Sequence, residues 1–107
     1  MSFETDESVA EELIIYSDND EPLYRQKKEI IKNLTKKFNK KTYDHKLAPK
    51  IWGYLVESAA KKYAKEFGGS GGSPWFEMFP VPIRKLAAQA LADRWYDNAK
   101  AGYPDEG

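Results

Sequence analysis

The chain has no cysteine and a single histidine, His45. The first absence excludes disulfides, thiol nucleophiles and cysteine-ligated zinc. The second leaves one imidazole, which cannot build a histidine metal site on its own. Arginine is confined to Arg25, Arg84 and Arg94, which weighs against bidentate reading of bases. No apolar run approaches the ~20 residues that span a bilayer. The N-terminal stretch, residues 1–12, is acidic and lacks the basic-then-apolar order of a secretory signal, so a cytoplasmic location and no membrane contact are expected. Strand-type alternation is missing after the first arm.

What remains is a chain of 107 residues, 41% hydrophobic and 14% aromatic. That length suits one domain, and the apolar and aromatic content is enough to bury a core. The formal charge is zero, but it is unevenly spread. Residues 1–21 hold eight acids and no Lys or Arg, whereas residues 22–65 hold thirteen Lys or Arg against Glu29, Asp44 and Glu57. Such asymmetry points either to a polyanion partner or to an acidic arm that neutralises its own domain.

Residues 1–8 read as a frayed end. The run Leu13-Ile14-Ile15-Tyr16 fits a short helix or a docked extended segment. Asp20 is a candidate N-cap, with Pro22 early in the helix that follows. The spacing of Leu23, Ile30, Ile31, Leu34 and Phe38 predicts a first main helix over residues 21–39. A second runs from an Asp44 cap to about Phe67, with Pro49 loosening its start or delaying it. Its apolar positions cover more than half the circumference, so it is expected at the centre. A third runs from Val81 or Pro82 to about Ala99, with alanines that allow close approach, and is stopped by Gly102 and Pro104.

Residues 68–73 are an exact double Gly-Gly-Ser. This is the composition of a chosen flexible linker and reads as an engineered insertion, replacing a loop or joining old termini; Gly68 alone would also serve as a natural helix stop. The expected architecture is all-α, a three-helix bundle with an N-terminal acidic arm (1–21), a bundle domain (22–101), a short aromatic-rich turn before the last helix, and a tail (102–107). The expected core is Leu23, Ile30, Leu34, Phe38, Leu47, Ile51, Leu55, Tyr63, Ile83, Leu86, Leu91 and Trp95.

Chemistry-bearing patterns are sparse. His45 has no nucleophile or orienting partner in any motif and reads as a surface histidine. Asp18, Asp20 and Glu21 echo a calcium loop but lack its glycine and terminal glutamate. Asp93 and Asp97 fall on a polar face. No catalytic, cofactor or metal residues are assigned, and no enzyme activity is expected. The candidate polyanion contacts are Arg25, Lys28, Lys32 and Lys36, a basic stripe that would meet nucleic acid without sequence preference; the plain alternative is a solvated face. Trp75, Phe76, Met78 and Phe79 are candidate protein contacts, with a plug for the bundle end as the preferred alternative. Arg94, on an apolar face, is expected to reach an acid of the arm, with a ligand contact as the alternative.

The segments Leu23-Tyr24-Arg25-Gln26-Lys27, Ile31-Lys32-Asn33-Leu34, Tyr43-Asp44, Ala48-Pro49-Lys50-Ile51-Trp52-Gly53-Tyr54-Leu55-Val56 and Ala60-Lys61-Lys62-Tyr63-Ala64-Lys65-Glu66-Phe67, with Met78-Phe79-Pro80 and Arg84, resemble short hypothetical proteins of phages and bacteria. The resemblance covers residues 23–96 and implies a compact helical protein with no assigned activity; the Gly-Gly-Ser repeat departs from it. Three roles follow as expectations: a binding or interaction module, with a protein partner or a second copy; a nucleic-acid accessory protein; or a scaffold without native function.

Overall fold

Thr5 opens the structure. Its hydroxyl accepts the Ser8 N–H at 3.1 Å, and Asp6 and Glu7 sit in the first turn, where carboxylates favour the positive helix end. The computed structural model describes residues 5–68 and 74–102. Among these it shows α1 (Asp6–Asn19), α2 (Glu21–Asn39), α3 (Ala48–Phe67), α4 (Trp75–Met78) and α5 (Val81–Lys100), and no strand. The all-α class is observed, but the count is not three: the expected arm is a helix of 14 residues, so four long helices and one short turn build the bundle. The frayed end expected through residue 8 is corrected too, because the Thr5 cap starts the helix at Asp6. Residues 69–73, which hold most of the Gly-Gly-Ser repeat, lie outside the described residues, as do 1–4 and 103–107 with Pro104.

Asp20 alone joins α1 to α2. Its backbone leaves the helical region (φ −105°, ψ 121°), and its carboxylate accepts the Leu23 N–H at 3.2 Å and the Lys62 ammonium. Asp44, by contrast, does not cap α3. It accepts the Lys46 N–H within the preceding turn, and α3 begins at Ala48 with Pro49 in its first turn, where a missing N–H is harmless.

α3 occupies the centre and packs against every other helix. Trp52, Leu55, Val56, Ala59 and Ala60 are buried on it. α5 returns antiparallel beside α3, as His45 meeting Asp93 and Tyr63 meeting Phe79 require. The buried Ala87, Ala88, Ala92 and Ala99 keep its backbone close to its neighbours. α1 contributes Ala10, Leu13, Ile14 and Ser17, one stripe at helical spacing.

Two expected core residues are corrected. Leu47 is 58% exposed, because the late start of α3 leaves it in the turn; Leu86 is 38% exposed, at the edge of the face that Ile83, Ala87 and Leu91 define. Phe38, Ile51 and Tyr63 pack against the core from half-buried positions. Aromatic rings close both ends of the bundle. Tyr16, Tyr63, Phe67 and Phe79 gather at one, and Phe38, Tyr43, His45, Trp95 and Tyr96 at the other. No described helix is long and apolar enough to cross a membrane.

Candidate functional site

A groove of about 430 Å³ lies between α3 and α5. Pro49 and Gly53 line one wall, Val81 and Ala88 the other. Gly53 makes it open. A Cβ built there would meet nothing within 4 Å, and its φ is not positive, so neither packing nor backbone geometry requires glycine. Val81 of the groove wall is 49% exposed, and Leu47 and Tyr54, just before and within α3, also leave large apolar surface exposed.

The charges of the groove divide into fixed and free. Arg84 donates from Nε to the Phe79 carbonyl at 2.8 Å and lies 4.8 Å from the centre of the Trp75 ring. Glu57 pairs with Lys61, whose ammonium also sits over Trp75. Lys50 and Lys85, one from each wall, have no carboxylate at ion-pair distance among the described residues. The groove therefore offers apolar walls with an uncommitted ammonium on either side.

The aromatic segment serves the bundle. Phe79 is 3% exposed, and Trp75 and Met78 pack against the core. Of the four candidate protein contacts only Phe76, 51% exposed, presents most of its ring to solvent.

The basic stripe splits in two. Arg25 pairs with Glu21, and the Lys28 ammonium lies 5.1 Å from the centre of the Tyr24 ring. Lys32 and Lys36 have no carboxylate or ring partner of this kind among the described residues and line a shallow groove with Ile31 and Thr35. The acidic arm meanwhile turns inward. Glu11 takes both Arg94 nitrogens, Asp18 pairs with the buried Lys27, Asp20 pairs with Lys62, and Glu12 accepts the Tyr63 hydroxyl. Arg94 thus reaches the arm as expected. The Arg94 hydrogen bonds, against an opposing burial effect, hold the Glu11 carboxyl below the usual glutamate range and raise Arg94 in turn. The Lys62 hydrogen bond, again against burial and with help from the Leu23 N–H, lowers Asp20.

His45 is not a free surface histidine. Its Nε2 lies 3.0 Å from Asp93 Oδ1, its Nδ1 lies 2.8 Å from the Tyr43 hydroxyl, and its ring stacks on Tyr96 at 4.3 Å. An ionised carboxylate only accepts, so Nε2 carries the proton toward Asp93; in the neutral ring Nδ1 then accepts from Tyr43. Burial first, then the charges of Tyr96, Asp93 and Asp44, pushes the Tyr43 phenol up to about 12. A phenol that stays protonated at neutral pH is a poor nucleophile, and the chain of contacts ties the α2–α3 turn to α5. Sequence spacing could not show this, because His45 and Asp93 are 48 residues apart. Gly53 did carry a signal, a lone glycine inside a helical pattern. No group of three or more His, Asp or Glu gathers among the described residues.

No family model, curated protein or solved structure matches the chain.

Proposed function

We propose that the protein is a non-catalytic binding module that docks a segment of a partner protein in the α3–α5 groove. Gly53 carries the reading. A glycine inside a helix costs about 1 kcal/mol relative to alanine, and here no contact among the described residues and no dihedral requires one. The missing side chain leaves the groove open. The apolar walls favour an apolar side chain, and the free ammoniums of Lys50 and Lys85 favour carboxylates on either side of it. The partner segment is therefore amphipathic and acidic.

Amphipathic helical peptides with glutamate flanks, and matched peptides with lysine flanks, are titrated into isotope-labelled protein. The acidic set shifts the amides of Gly53, Val81 and Ala88, the basic set does not, and Gly53→Phe weakens binding at least about tenfold, equivalent to 1.4 kcal/mol. Shifts confined to other faces, or none with any peptide, overturn the reading; the second result favours a scaffold without native function.

A further inference from the structure

We infer that the C-terminal half of α2 and the turn leading into α3 form a binding surface for the phosphate backbone of nucleic acid. The inference does not rest on the groove. Its first support is where the cations are left over. Across the rest of the described chain most are engaged, as Arg25, Lys27, Lys61, Lys62, Arg94 and Lys100 are with carboxylates. Between residues 32 and 50 the pattern reverses. Lys32, Lys36, Lys37, Lys40, Lys41 and Lys46, with Lys50 at the groove wall, have no carboxylate at ion-pair distance among the described residues. The acid in that span, Asp44, accepts the Lys46 backbone N–H. Of the arm's acids, Glu11, Asp18 and Asp20 are held elsewhere, by Arg94, Lys27 and Lys62.

The second support is Lys41. Its N–H donates to the Phe38 carbonyl, and the Thr42 N–H donates to the Lys37 carbonyl, the paired bonds of a helix end that favours glycine. Lys41 holds the left-handed φ of 61° that this end demands. A lysine strains there where glycine would not. Stability is given up for a cation at the tip of the basic surface.

Lys32, Lys36 and Lys40 recur every four residues, about 6 Å apart along the helix axis. Flexible four-carbon stems at that step can follow successive phosphates. None of the three arginines lies on this surface, so contact is with backbone and is indifferent to sequence. An anionic membrane fits less well. A helix that lies in a membrane needs a free apolar face, and Ile30, Ile31 and Leu34 of α2 are buried in the bundle.

The test uses the full chain and a labelled mixed-sequence DNA single strand, followed by fluorescence anisotropy over a series of salt concentrations. Binding is expected at low salt, with log K falling linearly in log salt by about 0.7 per phosphate neutralised. Lys36→Gln and Lys40→Gln each flatten that slope by roughly one contact. Lys41→Gly raises the thermal midpoint yet weakens binding, opposite signs that a merely structural lysine would not give. Lys65→Gln and Gly53→Phe change neither affinity nor slope, which separates this surface from the groove. No binding at low salt, an equal loss in Lys65→Gln, or affinity for phosphatidylserine vesicles or polyglutamate matching that for DNA overturns the inference.

Discussion

At the scale of single residues, two glycines of α3 have opposite reasons to exist. The space in front of Gly53 is empty, and its backbone is one that alanine adopts readily. Gly53→Ala is therefore expected to stabilise the protein by about 0.5–1 kcal/mol, seen as a higher denaturant midpoint at unchanged slope. Gly68 caps the same helix, and a Cβ there would lie 2.3 Å from the Ala64 carbonyl oxygen, which already accepts the Gly68 N–H. Gly68→Ala must move backbone and is expected to lose about 1–3 kcal/mol. If both variants shift the midpoint the same way, the two environments have been misjudged. The sequence distinguished these residues only in part. Gly68 was legible as a stop because a linker-like run follows it. Gly53 was marked only as a lone glycine inside a helical pattern, since the empty space beside it depends on a second helix returning from residue 81.

At the scale of elements, α2 was legible to its end residues. An Asp cap, an early proline and a clean apolar stripe agreed with one another. α1 was ambiguous because its apolar run is short and its hydrophobic positions only make sense once α3 and α5 lie beneath them. The late start of α3 follows from Asp44 spending its carboxylate on the Lys46 N–H within the turn, which displaced Leu47 from the core to the surface. The α1–α2 junction carries a buried cation that no pattern announced. Lys27 is 7% exposed on the apolar stripe of α2, and Asp18 at the end of α1 meets its ammonium at 2.8 Å. Removing one partner of such a pair is worse than replacing the cation by an apolar side chain of similar length. Asp18→Ala is expected to destabilise by about 1–3 kcal/mol, because Lys27 is left desolvated and unpaired. Lys27→Met is expected to lie within about 1 kcal/mol of the parent. Equilibrium unfolding of the two variants checks the order, and Lys27→Met as the weaker protein would show that the pair contributes more than its desolvation costs.

For the whole molecule, the uneven charge of the sequence becomes a device for holding α1 down. Three of the acids of the first 21 residues, Glu11, Asp18 and Asp20, are drawn onto Arg94, Lys27 and Lys62 of three other segments, so the arm neutralises one part of the bundle rather than the lysines of the α2–α3 corner. This clamp has a pH dependence whose sign follows from the two lowered carboxyls. Glu11 sits below its ordinary value of 4.5, chiefly through the Arg94 hydrogen bonds, and Asp20 below its ordinary 3.8, chiefly through Lys62. A depressed folded-state value means that the unfolded chain binds protons more readily than the folded one. The stabilisation is then complete above the unfolded values, shrinks as the pH falls below about 4.5, and is gone once the pH passes below the folded values. Both clamps bear on α1 and its junction, and both partners are partly solvated, so the effect is modest per pair and salt-sensitive. Thermal midpoints measured from pH 6 down to about pH 3 should fall in the parent. In Arg94→Gln the fall should be shallower and the pH 6 midpoint lower, because Glu11 then returns toward its ordinary range and loses its link to folding. Far-UV dichroism should show helix lost first in the parent at low pH, in the amount α1 contributes. A parent and an Arg94→Gln variant with parallel acid limbs would show that the Glu11–Arg94 contact does not couple α1 to the bundle, and that its buried face and its other pairs hold α1 down.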